Sequence, residues 1–443
     1  MKKQVRLLAV LSAAAVMSVA APAFSMNAVD TVFAAGAGWV EEDGEWRYSD
    51  GDGYYLSDTW KKRGEDWYYL DSDGNITKEE QVDEYYVDGT GKRVYDTWIS
   101  EDNEDSWGDD DAPETYWYYY GGNGKRVVSK WQSINDKWYY FNDDGHMMTG
   151  KVEIDGFTYY LGEEGDGARK TGWIQLEETD ENSDEEFAWF YFENSGKMVD
   201  NYVDKKINGD YYTFINGRLQ KGWVQVEKPT ATESEAVHPM AGYQYYEEEA
   251  GKRANGWFEI NGVEGISDED EVYKFYFKNG KPFYAEKGVQ VFSVDSRKYG
   301  FNEKGEMQTD LQVVTLDDGT TANYYFGEDG VMRTGKQTIY DEDLGDNQVW
   351  FFYTDGTRKG QGYNGVRDNT LYINGLRQDA DSDLRLAPVE FEGKRYLVNV
   401  SGTIQKASSS SKSSAKPELG NGFKDYKDAN GVVWTVDSNG SIQ

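Results

Sequence analysis

Pairs of tryptophans are the residues in this chain best suited to chemistry. Trp39 with Trp46, Trp60 with Trp67, and Trp131 with Trp138 share a seven-residue spacing. In two of these pairs the second ring opens an aromatic cluster, Trp67-Tyr68-Tyr69-Leu70 and Trp138-Tyr139-Tyr140-Phe141. The face of an indole or phenol attracts a cation by about 0.5–2 kcal/mol per ring, and the same faces stack on sugars. Any one pair is accounted for as packing. Repetition favours a binding role, because tryptophan is larger than packing at a strand opening requires.

The other chemistry-bearing residues point nowhere in particular. There is no cysteine, so disulfides and thiolate chemistry are excluded. The two histidines, His146 and His238, stand far apart, one in a turn and one in an insert. No nucleophile elbow, zinc-binding histidine pair or phosphate loop occurs. Carboxylates are so abundant that a close pair carries no information, although glycosidases need only two. Asp71-Ser72-Asp73-Gly74-Asn75 starts like a calcium loop, but Ile76 stands where an EF-hand needs glycine. Gly121-Gly122-Asn123-Gly124-Lys125 starts like a calcium β-roll, but Arg126 replaces the required aspartate. The expectation is no catalytic residue, no metal site and no cofactor.

The elements that position the rings form a repeat of about twenty residues. Openings at Trp39, Trp60, Trp98, Trp131, Trp173, Trp223 and Trp257 each lead into a polar turn, an aromatic cluster and a glycine turn. Strand, turn and strand at this spacing predict a β-hairpin. The second turn recurs as Thr90-Gly91-Lys92-Arg93, Asn123-Gly124-Lys125-Arg126 and Ser195-Gly196-Lys197-Met198, with glycine where φ must be positive. Residues two apart share a strand face, so Trp138 and Tyr140 point one way and Tyr139 the other. From Val289 the opening tryptophan is lost while the later rings persist. Acidic inserts, Ser100 to Thr115 and Glu177 to Glu186, and the longer Val226 to Gly242 fall at hairpin tips, where exposed backbone tolerates them.

Composition agrees with this organisation. Only 38% of the 443 residues are hydrophobic, yet 16% are aromatic, with 35 Tyr and 15 Trp, so burial must come from rings. A net charge of -35 opposes nucleic acid and anionic membranes. Lys2, Lys3 and Arg6 precede an apolar run from Leu7 to Ala21 and a small-residue cleavage site. Residues 1–25 therefore read as a secretory signal peptide, too short for a membrane span. The expected domains are a short linker at 26–37, the repeat array at 38–406, a Ser/Lys-rich linker at 407–419, flexible by composition, and a hairpin or degenerate repeat at 420–443. The fold class is all-β, a β-solenoid of stacked hairpins with aromatic interfaces and acidic tip inserts.

The phrases Gly172-Trp173, Gly222-Trp223 and Gly256-Trp257, with the two aromatic clusters quoted above, resemble the cell-wall-binding (choline-binding) repeat of Gram-positive bacteria. The likeness is strong from Trp39 to Trp257 and weak beyond. In choline-binding members, rings of consecutive hairpins wall a cage for a quaternary ammonium. Carried over, Trp131 and Trp138 are two walls, with Tyr159 or Tyr160 of the next unit as the third. Trp60 with Trp67, Trp39 with Trp46, and Trp173 with Trp189 are further candidates, and Trp98 with Trp117 matches across an insert. The resemblance implies a secreted, wall-associated, non-catalytic protein. Its partner would be choline-containing teichoic acid or wall glycan. The alternative is an extracellular carbohydrate-binding protein or adhesin facing a host or dietary glycan.

Overall fold

The computed structural model describes residues 36–103, 113–178, 185–230, 236–268 and 270–443. The signal-peptide reading at 1–25 and most of the linker at 26–37 lie outside the described residues. So do the centres of the three inserts, with Glu104, Asp105, Asp109, Asp110 and Asp111. Two compact units are present. The first runs to Val152 and takes in Leu161–Arg169; the second holds Glu153–Tyr160 and Lys170–Gln443.

The described chain is all-β, with one 3-10 turn at Pro417–Leu419 as its helical content. Antiparallel hairpins follow one another. Thr59–Arg63 pairs with Asp66–Leu70, Thr97–Asp102 with Thr115–Tyr120, Lys130–Ile134 with Lys137–Phe141, and Gly172–Glu177 with Phe187–Phe192. The tip of the Trp131 hairpin explains its tightness. Asn135 and Asp136 take φ of 50° and 62°, the two positive angles that a twist-matched two-residue turn requires. The ends of the inserts sit between paired strands, at tips.

The second turn is built by its carboxylate or amide. Asp71 Oδ1 accepts the N–H groups of Asp73 at 2.9 Å and Asn75 at 2.8 Å. Asp88, Asn302, Asn399 and Asp437 make the same pair of bonds in their turns. The calcium-like string at Asp71 is thus an Asx-type turn cap.

After that turn the chain returns through one residue, two places beyond the glycine, that fastens one hairpin to the one before. Its N–H reaches the carbonyl of a residue at the start of the earlier hairpin's second strand. In the first unit these bonds are Arg93 to Trp67 (2.9 Å), Arg126 to Glu84 (2.7 Å), Met147 to Trp117 and Arg169 to Trp138 (both 2.8 Å). In the second they include Met198 to Thr158, Arg253 to Tyr211 and Met332 to Lys298, each 2.8 Å. The same residues bridge to the last strand residue of their own hairpin, as in Val87 with Arg93 and Phe141 with Met147. A lone hairpin is marginal in water, and this fastening supplies what it lacks.

Within each unit the core includes those last strand residues. Leu70, Phe141, Phe192, Tyr246, Phe326 and Phe352 are fully buried. Tyr139 packs with Phe141, Tyr119, Val127 and Ile134, while Trp138 remains 42% exposed, so the strand faces alternate as expected. Beyond Val289 some hairpins fuse edge to edge, whereas Glu80–Val82 with Tyr85–Val87 and Leu386–Phe391 with Lys394–Asn399, which also lack the opening tryptophan, stay two-stranded. Val289–Val294 pairs in parallel with Asp310–Thr315 inside a five-stranded sheet, and Trp350 pairs with Leu376 inside another.

The Ser/Lys-rich segment is folded into the last hairpin rather than loose. Lys412 bridges to Asn421, Ser413 is buried, and its hydroxyl bonds Asp425. Lys424–Lys427 then pairs with Val433–Val436.

Candidate functional site

Each opening tryptophan stands directly across the strand pair from a tyrosine. The pairs are Trp39 with Tyr48, Trp60 with Tyr69, Trp98 with Tyr119, Trp131 with Tyr140 and Trp173 with Tyr191. The rings meet mostly edge to face at 5.0–5.5 Å, the arrangement that ring quadrupoles favour. The second tryptophan lies one diagonal step away on the same face, opposite Lys62 for Trp67, Ser100 for Trp117, Ser133 for Trp138 and Gln175 for Trp189. Trp46 stands opposite Glu41 in the same way. Spacing in the sequence thus becomes a two-ring wall on one hairpin.

A ring of the following hairpin closes the side. Trp98 lies 5.0 Å from Tyr139, Trp60 is 5.3 Å from Tyr85, Trp39 is 5.7 Å from Tyr68, and Trp173 is 4.9 Å from Tyr212. These third rings were not among the residues expected from the spacing. Their signal was present, because each belongs to the tyrosine pair or cluster of the next repeat. Tyr159 and Tyr160 belong to the second unit, where both are buried and Tyr160 packs 6.2 Å from Phe192 in a core cluster.

The boxes differ in the return residue, two places after the turn glycine, that accompanies their rings. At Trp98 and Trp117, 6.4 Å apart, it is Met147, which packs, as Trp98 and Tyr139 do, against the buried cluster of Tyr119, Val127, Ile134 and Phe141. Among the described residues no lysine or arginine stands over Trp98, Trp117 or Tyr139. At Trp60 and Trp67 it is Arg93, with its guanidinium carbon 5.8 and 5.5 Å from the two rings, 4.6 Å from Tyr85 and 4.8 Å from Tyr95. At Trp131 and Trp138 it is Arg169, 5.8 Å from each ring. Over Trp46 stands Arg63, at 3.4 Å. Trp173, Tyr191 and Leu219 pack against the buried cluster of Val199, Ile207, Tyr212 and Phe214, and Trp189 keeps 37% of its surface exposed.

Both histidines are packed against tyrosine rings. His146 stacks on Tyr116 at 3.8 Å and shares a hydrogen bond with Tyr118 at 3.0 Å, and burial lowers its pKa. His238 stacks on Tyr284 at 4.3 Å and bonds the Ala285 carbonyl. Burial, with Glu101 beside it, pushes the Tyr118 phenol up to about 12, so it stays neutral and hydrogen-bonded. Among the described residues no group of three or more acids or histidines is gathered to hold a metal ion.

Residues 127–173 match the choline-binding repeat family, and residues 58–76 and 188–198 match the family of cell wall binding repeats. The chain is 24% identical over 328 residues to glucosyltransferase-I of Streptococcus downei, covering 67% of this chain and 18% of that protein. It is 26% identical over 296 residues to glucosyltransferase-S of Streptococcus mutans serotype c, covering 57% and 18%. The chain thus spans 18% of the length of the curated relatives it matches. Among solved structures, CbpJ of Streptococcus pneumoniae is similar at 20% identity over 67% of this chain and 100% of that one, with a TM-score of 0.40. Choline binding protein F of Streptococcus pneumoniae, crystallised in the presence of a peptidoglycan analogue, is similar at 19% identity over 68% and 99%, with a TM-score of 0.37.

Proposed function

We propose, from the premise that this chain carries choline-binding repeats, that it is an exported, non-catalytic protein of the bacterial surface. It holds choline groups of a wall polymer in ring boxes along β-solenoid stacks of hairpins. The observation that carries this reading is the box at Trp98, with Trp117 6.4 Å and Tyr139 5.0 Å from it, and with Met147 packed against the same buried cluster as Trp98 and Tyr139. Repeated fastening of consecutive hairpins supports the solenoid within each unit. A trimethylammonium needs aromatic faces and no hydrogen-bond partner, which is what such a box offers. Three ring contacts of about 1–1.5 kcal/mol each give a single-site Kd near 1 mM, so useful attachment comes from several sites on one polymer.

Choline titrated into the mature protein by calorimetry is the test. Millimolar binding is expected, and Trp98→Ala with Trp117→Ala should weaken that site at least tenfold, since two ring contacts are worth about 2 kcal/mol or more. No heat and no retention of choline by dialysis would sink the reading. A second reading, glycan binding, is favoured by the likeness to two glucosyltransferases, and by the exposed indoles of Trp138 and Trp189. An α-glucan that competes where choline does not would select it.

A further inference from the structure

We infer that the residue two places after the turn glycine decides whether a ring box accepts a ligand, and that Arg93 and Arg169 close their boxes from within. This rests on the choline-binding reading above. Arg93, Met147 and Arg169 are equivalent in the backbone: each donates its N–H to the carbonyl of the second tryptophan of a box, Trp67, Trp117 and Trp138. Their side chains therefore enter the same space. Arg93 brings a guanidinium within 6 Å of four rings. Its Nε donates to the Tyr95 hydroxyl at 2.9 Å, and no carboxylate pairs with it among the described residues. A guanidinium is weakly hydrated and stacks on ring faces, so the rings take the place of a counter-ion.

The plug is also held from outside. A Cβ on Gly124 would lie 3.1 Å from Arg93 Nε, so the next turn closes over the side chain. A ligand ammonium binding with millimolar affinity would have to displace a cation tethered at an effective concentration of the same order or higher. Met147 differs in the one respect that matters. It is uncharged and polarisable, and it adds a soft wall without competing for the cation position. The Trp60 box thus repeats the three rings of the Trp98 box, and the Trp131 pair repeats its two-ring wall, each with a cation built into the chain.

The test counts bound choline per chain by equilibrium dialysis on the full mature protein. Arg93→Met puts in the residue native to the same position at Met147 and should add one site. Met147→Arg should remove the Trp98 site. Near-ultraviolet circular dichroism checks that both variants keep their ring packing; if Arg93→Met loses it, Arg93→Gln replaces it as the uncharged variant and should also add a site. If the wild-type chain binds choline and neither variant changes the count, the inference is overturned while the functional reading stands. If the wild-type chain and Arg93→Met both bind none, the functional reading falls. The plug is then judged by NMR: an Arg93 Nε–H resonance shifted upfield by the ring faces upholds the filled box, and an unshifted one overturns it.

Discussion

At the scale of single residues, the turn glycines carry two constraints, of which the sequence displays one. Gly91 has φ of +80°, which favours glycine and was legible from the recurring turn. What the sequence did not display is that a Cβ there would lie 2.2 Å from Ile76 Cγ2 and 3.0 Å from the Thr77 carbonyl. The return residue of one repeat fills the space beneath the glycine of the next, as Met147 does beneath Gly167 and Met307 beneath Gly330. That neighbour lies a full repeat away, so no local pattern announces it. Gly64 is the control, with φ of +66° and nothing within 4 Å of an added Cβ. Gly64→Ala should cost about 1–2 kcal/mol, the left-handed penalty alone. Gly91→Ala should cost a further 1–3 kcal/mol or so for overpacking. Urea midpoints of the two variants measure this. Equal losses would mean that the turn angle, and not stacking on Ile76, makes glycine necessary.

At the scale of elements, the hairpins were readable because ring clusters and glycine turns mark their limits. The fusion of strands after Val289 was not. Val289 pairs directly with Val314, yet the hairpins of Glu80–Val82 and Leu386–Phe391, which likewise lack the tryptophan, stay separate, so loss of the ring alone does not announce a fused edge. The contacts of the Ser/Lys segment are likewise invisible in its composition. Its composition says nothing about Asp425, which lies well beyond it yet organises it. Asp425 accepts the Ser413 hydroxyl, the N–H groups of Ser414 and Ala415 at 2.7 and 2.8 Å, and the Thr435 hydroxyl at 2.7 Å. Those bonds, led by Ser413, hold its carboxyl down to about 2, below the ordinary 3.8. Since the folded value is the lower one, the stabilisation is full above about pH 4 and is lost as pH falls from there through 2. Hydrogen exchange should find residues 411–422 protected at neutral pH and increasingly open across that acid window. Asp425→Ala should show the open pattern already at pH 7. If that variant keeps neutral-pH protection, the carboxylate is not what orders the segment.

At the scale of the whole molecule, charge and rings make separate contributions that a simple binding assay confuses. A chain of net charge -35 adheres to any cationic matrix, and a choline resin is one. Its field also steers cationic ligands over distances of the order of the Debye length, about 10 Å at 0.1 M salt. Contact between an ammonium and a ring acts at about 6 Å or less and needs no net charge on the protein. Salt distinguishes the two. In 1 M sodium chloride the Debye length falls to about 3 Å, so adhesion through bulk charge is suppressed while the box of Trp98, Trp117 and Tyr139 is left intact. The chain should therefore remain on a choline resin at that salt concentration and leave when free choline is added. On a plain quaternary-amine exchanger without the choline hydroxyethyl arm, the rings still meet a trimethylammonium, so retention should persist there too; a primary-amine resin, whose cation is better hydrated, should release the protein in salt. Release from the choline resin by salt alone would assign the adhesion to the acidic surface. It would leave the ring boxes as the packing device that the repeats also require.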